Sequence, residues 1–280
     1  MTDLDRLKGD IERLSGDVSG DVFEEAREAV GRLLTELGEG RVRSAERSQS
    51  GWSAVEWVKA GILLAFRVGR TAEIPATPAS YFDRDTLPLR DTRGVEDNIR
   101  IIPGGSSVRA GAYLAENVVI MPPAFVNVGA YVDEGAMIDS HALVGSCAQV
   151  GRRVHLSAGA QLGGVLEPVG LRPVIVEDDA LIGGNAGVFE GTLICARAVI
   201  APGVQLTAST TVFDLVTGET HSGSLERPLT IPEAAVVVPG SRPARGEVAE
   251  RHGLHYYTPL IVKYRDERTE AATALEEALR

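Results

Sequence analysis

The chain has 280 residues, 44% hydrophobic but only 5% aromatic, with 31 glycines and a formal net charge of −11. Such acidity excludes wrapping of nucleic acid, which needs a basic face to neutralise phosphates, and leaves room only for a local basic pocket. Two cysteines without metal-ligand spacing exclude a disulfide framework, and the absence of a leader pattern or a long apolar run predicts a soluble, cytoplasmic protein with no membrane partner.

In chain order, residues 21–37 open with an Asp-x-x-Glu capping signal (Asp21, Glu24) and then repeat apolar residues at helical spacing. A second capping box, Ser53 with Glu56, leads into Trp57, Val58, Ile62, Leu63 and Phe66. Residues 74–91 are proline-containing and carry no period, so they read as a loop. Residues 1–97 are thus expected to form a mainly helical domain.

From Ile102 a new period begins. Aliphatic residues stand six apart from Ile102 to Leu162, and the series resumes from Val176 to Val212. Four positions after nearly every one sits a small residue, such as Ala124, Ala130, Ala142 or Ala186. Six is neither a helical nor a hairpin period. It is the signature of a parallel β-helix, a triangular coil with one flat strand per hexad and three hexads per turn. The aliphatic points inward onto its equivalents in neighbouring coils, and the small residue fills the corner, where more volume would overpack. The expected architecture is mainly β: a left-handed parallel β-helix over residues 98–240. The step from Leu162 to Val176 is two residues longer than two hexads, which predicts a projecting loop near 163–175. Residues 231–238 and 254–264 read as strands and 269–280 as a helix, so 241–280 is expected to be a C-terminal strand and helix.

A β-helix alone does not imply catalysis, and a non-catalytic trimeric scaffold is one reading of it. Two groups of outward residues point to chemistry. Asp133, Glu134 and Asp139 bring carboxylates into consecutive hexads beside His141, which is either a general-base cluster or a hydrated acidic face. Arg100, Arg152, Arg153, Arg172 and Arg197 lie near corners, where they either hold anionic substrates or make surface salt bridges. Cys147 and Cys195 have no adjacent base and read as packing residues.

Several segments together resemble a known family. They are Gly129-Ala130-Tyr131-Val132-Asp133-Glu134-Gly135, Val144-Gly145-Ser146-Cys147-Ala148-Gln149, Val154-His155-Leu156-Ser157 and Gly163-Gly164-Val165-Leu166-Glu167-Pro168. Upstream are Glu56-Trp57, Leu64-Ala65-Phe66-Arg67 and Tyr81-Phe82-Asp83; downstream are Asp214-Leu215-Val216-Thr217-Gly218-Glu219 and Val262-Lys263. This set is similar to the tetrahydrodipicolinate N-succinyltransferases of lysine and diaminopimelate synthesis. The resemblance implies a homotrimer with active sites between subunits, small-molecule substrates, succinyl-CoA as co-substrate, and no permanently bound cofactor or metal. It implies that Arg100 holds a substrate carboxylate and Asp139 meets the substrate amine. It places His155, Ser157 and Glu167 near the substrate, and Asn185, Ala186, Ala201 and Lys263 along the CoA thioester. The chain departs from the family where Asn185 replaces an arginine and Gly187 replaces a glutamate, leaving Asp139, Glu190 and His141 as candidate proton acceptors. The string Gly184-Asn185-Ala186 resembles the acetyltransferase branch, so acetyl-CoA is the rival donor. A trimeric metal hydratase would need three converging histidines, and only His141 and His155 lie on the prism.

Overall fold

The structure is a computed structural model that describes residues 2–16, 22–74, 80–266 and 270–271. Three helices, α1 (Asp3–Leu14), α2 (Val22–Gly38) and α3 (Glu56–Val68), pack against one another through Leu7, Ile11, Val30, Leu33, Ile62 and Ala65, all buried. The Asp21 cap lies outside the described residues. The second cap is corrected: Val55 is the N-cap of α3 and makes no side-chain bond, while Ser53 lies exposed in a strand. That strand, Gly51–Ala54, pairs antiparallel with Ala45–Ser48. A second hairpin, Thr71–Ile74 with Tyr81–Arg84, occupies part of the segment expected to be a loop. Both hairpin strands are too short to show a period.

The hexads build a prism with three parallel ladders, in which each rung pairs with the residue one coil on, as Tyr131 does with Gln149. Face 1 presents outward Arg100, Val119, Met137, His155, Leu181 and Val199. Face 2 presents Ser107, Phe125, Leu143, Gln161, Gly187 and Gln205. Face 3 presents Tyr113, Tyr131, Gln149, Ile175, Leu193 and Thr230. The next residue on each rung points inward, so Ile120, Ile138, Leu156, Ile182 and Ile200 form one fully buried column.

The ends of the hexad series differ from expectation. Ile101, not Ile102, sits opposite Ile120, because the segment through Pro103 to Gly105 spends one extra residue before Val108. At the other end Val212 is buried with the core, but its strand pairs with Thr220–His221 and with the C-terminal strand. Ile231 takes the next rung beneath Ile194, so residues 207–229 are a second excursion. The chain then runs through Ala235–Pro243 and, after the short helix α4 (Glu247–His252), returns antiparallel as His255–Tyr264. The expected division at residue 240 therefore falls inside a strand, and the expected terminal helix lies largely outside the described residues.

The helical unit covers one side of the prism. Val128 and Cys147, at the corner between faces 2 and 3, join the helical core. Gly129 at this corner has φ 75°, and a Cβ there would lie 2.6 Å from Ile62 Cδ1, so glycine lets α3 approach. On face 3, Ile175 and Leu193 pack beneath Ala45 and Trp52. The loop after Leu162 does not project freely. Leu166 packs with the helical core, and fully buried Lys59 donates to the carbonyls of Pro168 (3.0 Å) and Leu171 (2.7 Å). A lysine on the apolar stripe shared with Val55 and Ile62 was the available signal for that contact.

Candidate active site

Asp139, His141, Ser157 and Asn185 converge on the corner between faces 1 and 2, in three successive coils. The ladder brings this about: Met137 pairs with His155, so Asp139 and Ser157 occupy equivalent corner slots one coil apart. Asp139 Oδ1 accepts from the Ser140 amide at 2.7 Å, and Oδ2 lies 3.7 Å from His155 Nε2. That nitrogen is buried and has no hydrogen-bond partner among the described residues. A carboxylate beside an unsatisfied imidazole nitrogen can take a proton from a nucleophile or hand one on. Arg100 stands on the same face as His155, three rungs away, or roughly 14 Å along the prism axis. It is exposed and pairs with no carboxylate among the described residues.

His141 sits at the corner with φ 62° and opens onto a cavity of about 360 Å³ that also touches Ser107, Phe125 and Leu143 on face 2. Asn185, at φ 56°, lays its side chain over Gly159, and Gln205 Nε2 donates to its carbonyl at 2.9 Å. Tyr257 reaches this end from the C-terminal strand: its hydroxyl accepts from the Gln205 amide at 2.8 Å. Nothing local in the sequence around Tyr257 announces that contact, because it depends on the fold-back of the C-terminal ribbon. Lys263 pairs in register with Val236 on the same ribbon, which extends face 1.

Other residues named from the sequence are buried or already bonded. Ala186 and Ala201 are fully buried in the prism core, so their side chains offer a thioester no surface. Arg172, Arg153 and Arg197 are already engaged: Arg172 donates to Gly191 and Pro228 carbonyls, Arg153 pairs with Asp179, and Arg197 bonds the Asp266 carbonyl. Burial pushes both cysteine thiols up to about 11, in keeping with packing roles.

Glu167 and Glu190 lie at the opposite corner, between faces 2 and 3, so one chain does not bring them to Asp139. Glu190 also carries a backbone duty, since its Oε2 accepts from the Ala208 amide at 3.1 Å. Gly187 has a visible cause. The Phe189 ring lies across it, and a Cβ at Gly187 would collide with that ring and with Gln205 Oε1. Gly187→Glu should therefore lower stability by about 1–3 kcal/mol through overpacking, with part recovered when Phe189→Ala is added. Urea unfolding of both variants checks this, and a single variant as stable as the parent would refute the collision.

The ribbon is held by a buried carboxylate. Burial pushes Asp214 up, but the Tyr264 hydroxyl and the Thr217 and Val216 amides outweigh it and hold the carboxyl below its usual range. Tyr264 in turn is pushed up to about 12, by burial and by that bond. With the folded value depressed, this stabilisation is present above the unfolded carboxylate value of about 3.9 and is lost as pH falls through the folded one. Asp214→Asn should cost about 1–3 kcal/mol at neutral pH, and the gap to the parent should narrow as pH falls below about 4. Unfolding midpoints measured across that window would show it.

Two family models match the chain. The tetrahydrodipicolinate N-succinyltransferase N-terminal model matches residues 12–68, and the hexapeptide repeat of succinyl-transferase matches residues 173–208. Proteins named 2,3,4,5-tetrahydropyridine-2,6-dicarboxylate N-succinyltransferase are similar along nearly the whole chain. Those of Nitrobacter hamburgensis and Bradyrhizobium diazoefficiens are each 44% identical over 91% of this chain and 90% of their own length. That of Bordetella petrii is 42% identical over 93% and 92%. With this likeness spanning both the helical unit and the prism, the chain belongs to the tetrahydrodipicolinate N-succinyltransferase family.

Proposed function

We propose that this chain transfers the succinyl group of succinyl-CoA to the amine of water-opened 2,3,4,5-tetrahydropyridine-2,6-dicarboxylate, in lysine and diaminopimelate synthesis. Its relatives carry the name of that reaction over nine-tenths of its length. The single structural observation that supports the reading is the open corner where Asp139 stands beside the unsatisfied His155 nitrogen.

In this reading the amine nitrogen bonds to the thioester carbonyl carbon while its proton passes to Asp139. The tetrahedral intermediate collapses by breaking the carbon–sulfur bond, and the departing CoA thiolate is protonated. Arg100 holds a substrate carboxylate, and His155 and Ser157 orient the acceptor. Asn185, Tyr257 and Lys263 border the path of the CoA arm.

The second wall of the site comes from another copy of the chain. Support comes from the layout of the described residues: helices and hairpin cover face 3, and Met137 on face 1 and His141 at the corner between faces 1 and 2 are exposed. In a homotrimer the corner bearing Glu167 and Glu190 of one subunit would face Asp139 of the next. Mass measurement in solution should give three times the 29.7 kDa of one chain. The activity is tested by following CoA release with succinyl-CoA and acetyl-CoA in parallel, using 2-aminopimelate as acceptor. Preference for succinyl-CoA upholds the reading, and preference for acetyl-CoA would reassign the donor.

A further inference from the structure

The excursion after Leu162 is stapled by two cations, and neither is ion-paired among the described residues. From the helical unit, the fully buried Lys59 ammonium bonds the Pro168 and Leu171 carbonyls, and the Leu171 amide closes that turn onto the Pro168 carbonyl at 3.0 Å. From the other side, Arg172 Nε donates to the Gly191 carbonyl at 2.9 Å and its Nη2 to the Pro228 carbonyl at 3.1 Å. Gly191 has φ 73°, and a Cβ there would collide with the Arg172 carbonyl, so this approach needs glycine. The excursion is thereby fastened to α3, to the turn that carries Glu190 and to the second excursion.

Such staples are costly. Burial pushes both cations down from their usual values, and a buried charge adds little stability over an apolar side chain that fills the same space. Lys59 stands among the buried Val58 and Ile62 of α3, where a methionine would suit the stripe as well. What the ammonium adds is placement, because its charge-assisted bonds fix where two carbonyls lie. The segment so fixed presents one carboxylate. Leu166 packs inward with the helical core and the Pro168 carbonyl is held, while Glu167 between them is exposed and makes no hydrogen bond or ion pair among the described residues.

We propose that Lys59 and Arg172 are positioning residues for acyl transfer, holding the 163–173 loop so that Glu167 stands at the wall one subunit offers to Asp139 of the next. This rests on the transfer reading and the trimer proposed above.

Steady-state kinetics and hydrogen exchange on the full-length protein test it. In Lys59→Met the amides of the loop should exchange at least about tenfold faster while those of the face 1 ladder hold their rates. There kcat/KM for the acceptor should fall by about tenfold or more, with KM for succinyl-CoA within about threefold of the parent. Arg172→Met loosens the same loop from its other end and should act alike, so the test does not depend on how one variant folds. A staple that matters only for folding would lower activity whether or not Glu167 is present, whereas a positioning staple acts through it. Lys59→Met added to Glu167→Gln should therefore cost less than about twofold beyond Glu167→Gln alone. Transfer within about twofold of the parent in both staple variants, losses that multiply with that of Glu167→Gln, or a Glu167→Gln variant as active as the parent would each overturn the proposal. A parent silent with succinyl-CoA and acetyl-CoA alike would instead sink the transfer reading, and this proposal with it.

Discussion

Asp139→Asn is expected to lower kcat by about 10²–10⁴-fold, because the amide can still fill the corner slot but cannot accept the amine proton. The replacement keeps the shape of the side chain, and its remaining carbonyl oxygen can still accept the 2.7 Å bond from the Ser140 amide. The fold should therefore survive, and KM for the acceptor should move far less than kcat. His155→Gln separates two roles for the neighbouring imidazole. If His155 only orients the acceptor, the pH profile of kcat/KM keeps its shape at lower height. If the Asp139–His155 pair handles the proton together, the acidic limb of the profile shifts. Unchanged turnover in Asp139→Asn would remove the aspartate from the mechanism and return attention to Glu190 or His141.

Leu156→Ala carries the largest expected stability loss, about 2–5 kcal/mol. Leu156 is fully buried between Ile138 and Ile182 in the inward column beneath face 1. The loss lies at the high end for a physical reason. Backbone ladders fix the coil spacing at about 4.8 Å, so neighbouring rungs cannot close the gap left by the missing methyl groups. His155 and Ser157 flank this residue, and slack in the rung should also lower kcat/KM. Unfolding in urea at fixed protein concentration measures the first effect; the concentration must be held because an oligomer adds its own linkage. A loss below about 1 kcal/mol would mean that the prism relaxes more than its ladders suggest.

Much of this protein was legible in its sequence. The six-residue period gives the inward column, the three faces and the equivalence of Asp139 with Ser157, because a flat-sided coil repeats its geometry at every turn. The same period locates the excursion after Leu162, since a register step longer than whole hexads must leave the prism. The motif resemblance named Arg100, Asp139, His155 and Ser157; the ladders set Arg100 and His155 on face 1, with Asp139 and Ser157 at its corner. Only the tertiary structure decided the rest. The period could not separate Ile101 from Ile102 or reveal that Val212 leaves its ladder, because rung assignment there depends on pairing partners far along the chain. Nor could it tell that Ala201, just past the inward Ile200, is itself buried, or that the excursion is clamped by Lys59. Tyr257 bonding Gln205 and Lys59 bonding the Leu171 carbonyl are contacts between residues far apart in the chain. Local pattern fixes which way a side chain points along its own strand or helix; what it meets there is set by packing between elements distant in sequence, and that is where the candidate sites are made.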